Sequence, residues 1–162
     1  MGAESPGAGP VNTPINTLIN TPVNTLALML TGGPPPASSR TLGFLNARTE
    51  GETVVLEYRP GEAVLNPLGT VQGGFVAAIL DDVFSVAILS VLGADYAAPT
   101  IEMKVSYFKP VLPGLVRGVG RVLQQGRNIA FVESELRDAD GMLLAKASAT
   151  TAIRRRPPAP AG

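Results

Sequence analysis

The chain has 162 residues, 45% of them apolar, which is enough to bury a sizeable single-domain core. Its 13 basic residues balance 13 acidic ones, so no broad basic surface argues for a nucleic-acid partner. It contains neither cysteine nor histidine. That excludes disulfides, thiolate nucleophiles, Cys- or His-ligated metals and every triad built on imidazole. Proton chemistry is left to carboxylates, Lys or Tyr, helped by neutral hydrogen-bond donors.

Residues 1–38 are rich in proline and carry one charged side chain, Glu4. They hold a short repeat, Asn12 to Leu18 recurring as Asn20 to Leu26. Two copies do not build a solenoid, and Asn, Thr and Pro at these spacings favour turns over helix. The stretch reads as a mostly disordered arm. Its apolar run, Leu26 to Leu30, is shorter than a secretory core and lacks a basic flank, so a cytoplasmic location is expected. The folded domain is assigned to residues 39–153, and the Arg/Pro-rich residues 154–162 to a solvated tail.

Within that domain, Thr41 to Glu50 and Thr53 to Arg59 are rich in β-formers and are split by the hairpin signal Glu50-Gly51-Glu52. Gly73 to Leu92 is apolar on every side except at Asp81, Asp82, Ser85 and Ser90. Twenty such residues match a membrane span in length. Two central carboxylates would each cost roughly 3 kcal/mol on insertion, so a helix buried on all sides by protein is the better reading. In residues 100–108, Ile101, Met103, Val105 and Tyr107 alternate with Thr100, Glu102, Lys104 and Ser106. This pattern predicts a strand with one buried face. Three further strands, Gly114 to Gln125, Asn128 to Arg137 and Met142 to Ile153, are joined by short turns and should pair antiparallel. One helix with about six antiparallel strands is an α+β arrangement, a sheet curled around the helix. Such a sheet leaves apolar helix surface to bury in a partner, so at least a dimer is expected.

The stretch ahead of the helix carries the chemistry. Gly73 and Gly74 stand where helix N–H groups are unpaired and the dipole is positive. Without side chains they would admit a ligand oxygen to the backbone, as in an oxyanion hole; taken alone, the pair is better explained as a plain turn into the helix. Asp81 and Asp82 point about 100° apart, so at most one faces a given site. A carboxylate on an apolar helix needs a partner or a task.

Asn66-Pro67-x-Gly69-x-x-Gln72-Gly73-Gly74, then six residues and Asp81, resembles the active-site signature of hotdog-fold acyl-CoA thioesterases of the phenylacetate-degradation type. The likeness continues through residues 100–110, Gln125-Gly126-Arg127 and the last strand, and so covers roughly Thr41 to Ile153. It implies a hotdog homodimer, often paired into a homotetramer, with sites at the dimer interface; no metal or cofactor is expected, since no ligand cluster is visible in the sequence. In the family the Asn and first Gly come from one subunit, the helix carboxylate and a strand Ser or Thr from the other. By position these are Asn66 and Gly73, then Asp81 and Thr100. The Gly73 amide would polarise the thioester carbonyl, and Asp81 would serve as general base or nucleophile. Asn66 and Thr100 would orient water or carboxylate, and Asp82 would make an interface or polar-pocket contact. The family usually has His where this chain has Gln72, which can donate a hydrogen bond but cannot titrate. Two readings follow, a working thioesterase and an impaired member that binds acyl-CoA or lipid without turnover. A dehydratase is disfavoured because that chemistry uses a His. Gly74, Phe75, Phe84 and Leu80 are candidates for the acyl pocket, and Arg127, Lys109 and Arg117 for the CoA phosphates.

Overall fold

The computed structural model describes residues 34–156; the Asn-Thr-Pro repeat and the last six residues lie outside them. A short helix α1 (Ala37–Thr41) precedes β1 (Phe44–Glu50) and β2 (Thr53–Tyr58). The folded part therefore starts two residues inside the stretch read as the arm. A 3-10 turn (Glu62–Val64) leads to the long helix α2 (Gly73–Leu92). There follow β3 (Tyr96–Ala97), β4 (Thr100–Tyr107), β5 (Val116–Gln125), β6 (Ile129–Asp138), β7 (Leu143–Ala152) and β8 (Arg154–Arg155).

Six strands form one antiparallel sheet in the order β1-β2-β5-β6-β7-β4, and β3 pairs with β8 in a separate ribbon. This is the hotdog arrangement, α+β with the sheet wrapped around one helix. The β1–β2 hairpin turns at Gly51, whose φ is +60°. The β6–β7 turn is closed by Asp138, whose Oδ1 accepts from the amides of Asp140 and Met142 at 3.0 and 2.8 Å. The first two arginines of the expected tail are strand β8, paired with Ala97 and Tyr96.

Helix α2 is long and apolar enough for a bilayer, yet it packs on the sheet. Val76, Ile79, Leu80, Val83, Phe84, Ala87, Ile88 and Leu92 are its buried residues. Their three- and four-residue spacing marks one face. Within one chain Ala78, Val86 and Leu89 are half-buried at the edge of this core, so one chain by itself leaves the helix short of burial on all sides. A single sheet can wrap only part of a cylinder. Close approach is made possible by glycines on β5. A Cβ on Gly118 would overlap Val83 Cγ2, and one on Gly120 would lie 2.9 Å from Val83 O.

Strand β4 departs from simple alternation. Its register against β7 shifts between Thr100 and Glu102, and such a bulge re-aims the side chains before it. Met103 and Val105 are packed against the core, but Ile101 is 59% exposed. It is Thr100 that turns toward the helix.

Candidate active site

The loop before α2 is built by Asn66. Its Oδ1 accepts from the amides of Leu68 and Thr70 at 2.9 and 3.3 Å, and its Nδ2 donates to Thr70 Oγ1 at 2.8 Å. Gly69 closes the turn with φ +76°, a conformation that suits glycine. The Gln72 amide then donates to Val64 O at 2.9 Å, which anchors the start of the helix to the 3-10 turn. Asn66 thus orders the loop with most of its hydrogen-bonding capacity.

At the helix start, the amides of Phe75 and Val76 donate to Gln72 O at 2.8 and 3.1 Å. This leaves the Gly73 and Gly74 amides at the open, positive end of α2. Neither glycine has positive φ. A Cβ on Gly74 would meet nothing within 4 Å, and one on Gly73 would make only ordinary contact with the Tyr107 ring at 3.7–3.8 Å. Among the described residues, neither backbone conformation nor packing requires glycine at these two positions. The Gln72 side chain makes no cap hydrogen bond and is exposed. Phe75 lies on the first turn, 36% exposed.

Two turns further on, half-buried Asp81 accepts a hydrogen bond at Oδ1 from Thr100 Oγ1 at 2.9 Å. The structure thus joins two of the residues singled out in the sequence. It does not bring Gly73 to them, since eight residues of helix separate Gly73 from Asp81 by about 12 Å.

Asp82 points elsewhere. Its Oδ1 accepts from Ser39 Oγ at 3.0 Å and its Oδ2 from Tyr58 OH at 2.7 Å. It borders an apolar cavity of about 240 Å³ between α2, β1 and β2, walled by Phe44, Leu56, Val86 and Leu89. Burial raises its pKa. The hydrogen bonds from Tyr58 and Ser39 pull it back, and the neighbouring Asp81 charge adds to the rise. The buried Tyr58 hydroxyl is raised as well, by desolvation and then by the Asp82 charge. Tyr58 and Ser39 were not legible as partners of Asp82, because neither is near it in sequence.

The remaining candidates divide. Phe84 and Leu80 have no exposure; Phe84 packs with Ile88, Ala130 and Val132 in the core. Within one chain both are core side chains. Arg117 is engaged by Glu57 at 3.2 Å and Ala139 O at 3.0 Å. Arg127 is exposed at the β5–β6 turn, and Lys109 lines a surface cavity of about 350 Å³ with Gly73, Tyr107 and Phe108.

The sequence model of the thioesterase superfamily matches residues 68–145, from the loop just ahead of α2 through β4, β5 and β6 to the start of β7. A phenylacetic acid degradation-related protein of Ralstonia eutropha JMP134 is structurally similar, with TM-score 0.70 and 35% identity over 80% of this chain and 99% of that one. Human acyl-coenzyme A thioesterase 13 is 30% identical over 97 residues, 57% of this chain and 67% of its own length. A Saccharolobus solfataricus relative with esterase in its name is 34% identical over 87 residues. Those residues are 54% of this chain, which spans only 61% of that relative. The fold wrapped on one helix and these likenesses agree: the chain belongs to the thioesterase superfamily.

Proposed function

We propose that this chain hydrolyses the thioester of an acyl- or aryl-CoA, releasing a carboxylic acid and free CoA. The observation that carries the reading is the glycine pair at the start of α2. Among the described residues, nothing in the backbone or packing calls for glycine at 73 and 74, and bare amides there suit something that approaches from outside. Amides at a helix N-terminus suit the oxygen of a carbonyl acquiring negative charge. Asp81, held by Thr100, is the general base toward water or the nucleophile.

About 12 Å of helix lies between amide and carboxylate, so one chain cannot bring both to a single carbonyl. The proposed site takes Gly73 from one subunit and Asp81 with Thr100 from the other, in a homodimer or a homotetramer of such dimers. The half-buried apolar face of α2 supports this assembly. Lys109, beside the Gly73 cavity, and Arg127 are the proposed contacts for CoA phosphates.

Purified protein offered a panel of acyl- and aryl-CoAs should release thiol, detected with a thiol reagent, and Asp81→Ala should abolish release without unfolding the protein. No release from any substrate despite measurable binding would instead favour acyl-CoA binding without turnover. The observation behind that second reading is Gln72, exposed and uncommitted where the family usually has His. Gln72→His separates the two: a large gain in turnover marks an impaired site, and no gain marks one adapted to Gln.

A further inference from the structure

We propose that Tyr107 is a positioning residue for the amides at the start of α2, an inference that rests on the thioesterase reading above. Strand β4 touches the helix at both halves of the proposed chemistry. At one end Thr100 holds Asp81 at 2.9 Å, and at the other the Tyr107 hydroxyl donates to the Gly73 carbonyl oxygen at 3.0 Å. The ring also lies 3.7–3.8 Å from where a Gly73 Cβ would stand, so the hydroxyl and the ring both brace the same residue.

The carbonyl of Gly73 and the amide N–H of Gly74 belong to one peptide unit. Donation into that carbonyl draws electron density from the nitrogen and makes the Gly74 N–H a stronger donor, a second amide beside the Gly73 N–H, which belongs to the preceding peptide and is held only through the fixed position of Gly73. It also fixes the plane of a peptide that two adjacent glycines, at a helix end, would otherwise leave the softest in the helix. An oxyanion donor stabilises a developing charge best when it is already oriented. Core packing does not account for the placement, because Tyr107 remains 54% exposed while Met103 and Val105 on its strand are packed inward. The hydroxyl reaches past the sheet edge to one carbonyl oxygen, beside the cavity that Lys109 also lines.

Tyr107→Phe keeps the ring and removes the donor. At a temperature where both proteins are fully folded by circular dichroism, kcat should fall roughly fivefold to tenfold, the worth of one hydrogen bond, with KM within about twofold and the pH profile unmoved. A CoA ketone analogue, with CH2 in place of the thioester sulfur, should show a smaller infrared downshift of its carbonyl in the variant than in the wild type. An unchanged kcat with an unchanged carbonyl stretch overturns the role, and so does a variant whose loss is entirely in KM. A wild-type protein with no turnover on any acyl-CoA overturns the thioesterase reading itself, which is a separate result from the comparison of the two proteins.

Discussion

Asp81 and Asp82 are neighbours in the chain with opposite circumstances. Asp81 accepts one hydrogen bond from the exposed Thr100, whereas the equally half-buried Asp82 accepts from two hydroxyls. Thr100→Val should lower kcat tenfold or more through the lost orientation of Asp81. It should change stability by less than about 0.5 kcal/mol, as usual for an exposed position; parallel kinetics and urea titrations check both. For Asp82 the sign follows from its raised pKa. The folded state binds this proton more readily than the unfolded state. The group therefore weakens the fold progressively as pH rises from the ordinary carboxylate value through its own raised value. Asp82→Asn should accordingly gain stability relative to wild type as pH rises above the ordinary carboxylate range, measured by urea unfolding at a series of pH values. A difference that stays flat with pH would refute the assignment. Gly73→Ala tests the bare helix start. Its Cβ fits and its φ is ordinary, so stability should hold or rise by up to about 1 kcal/mol. Turnover should fall at least tenfold, because the added methyl occupies the approach to the amide.

At the scale of elements, α2 and the strands around it were legible because their periods are strong. The helix spans Gly73–Leu92 and the turns at Gly51 and Asp138 stand where the sequence puts them. The bulge in β4 was not legible. Ile101, Met103, Val105 and Tyr107 alternate without a break in the sequence, and the extra residue shows itself only in the register against β7. That shift is what delivers Thr100 to Asp81, so a local irregularity decides a candidate functional contact. Gly118 and Gly120 carry a comparable hidden role, since only the packed helix reveals Val83 lying over them. Gly118→Ala should overpack that contact and cost about 1–3 kcal/mol, seen as a lower urea midpoint with an unchanged slope.

For the whole molecule, the decisive quantity is what one chain leaves uncovered. The same helix is apolar all round, but one sheet buries only one of its faces. The proposed dimer covers the other face and closes the gap between the amides and Asp81. Thermal midpoints should then rise with protein concentration, and sedimentation should give a dimer or a multiple of it. A monomer at working concentration that still turns over acyl-CoA would refute the shared site.

By itself, the amino-acid sequence determined the α+β class, the single central helix and the candidate roles of Asp81, Thr100 and the glycine pair. The class and the helix depend on local periodicity; the candidate roles follow from the resemblance of the Asn66-to-Asp81 motif and of residues 100–110 to hotdog thioesterases. It also excluded imidazole and thiol chemistry outright, since neither residue occurs. Only the tertiary structure decided which carboxylate meets Thr100, that Asp82 is held by Ser39 and Tyr58, and that Tyr107 reaches the Gly73 carbonyl. Those contacts join residues 19 to 43 positions apart. Strand register, helix rotation and sheet curvature bring them together, and no local pattern in the chain encodes these.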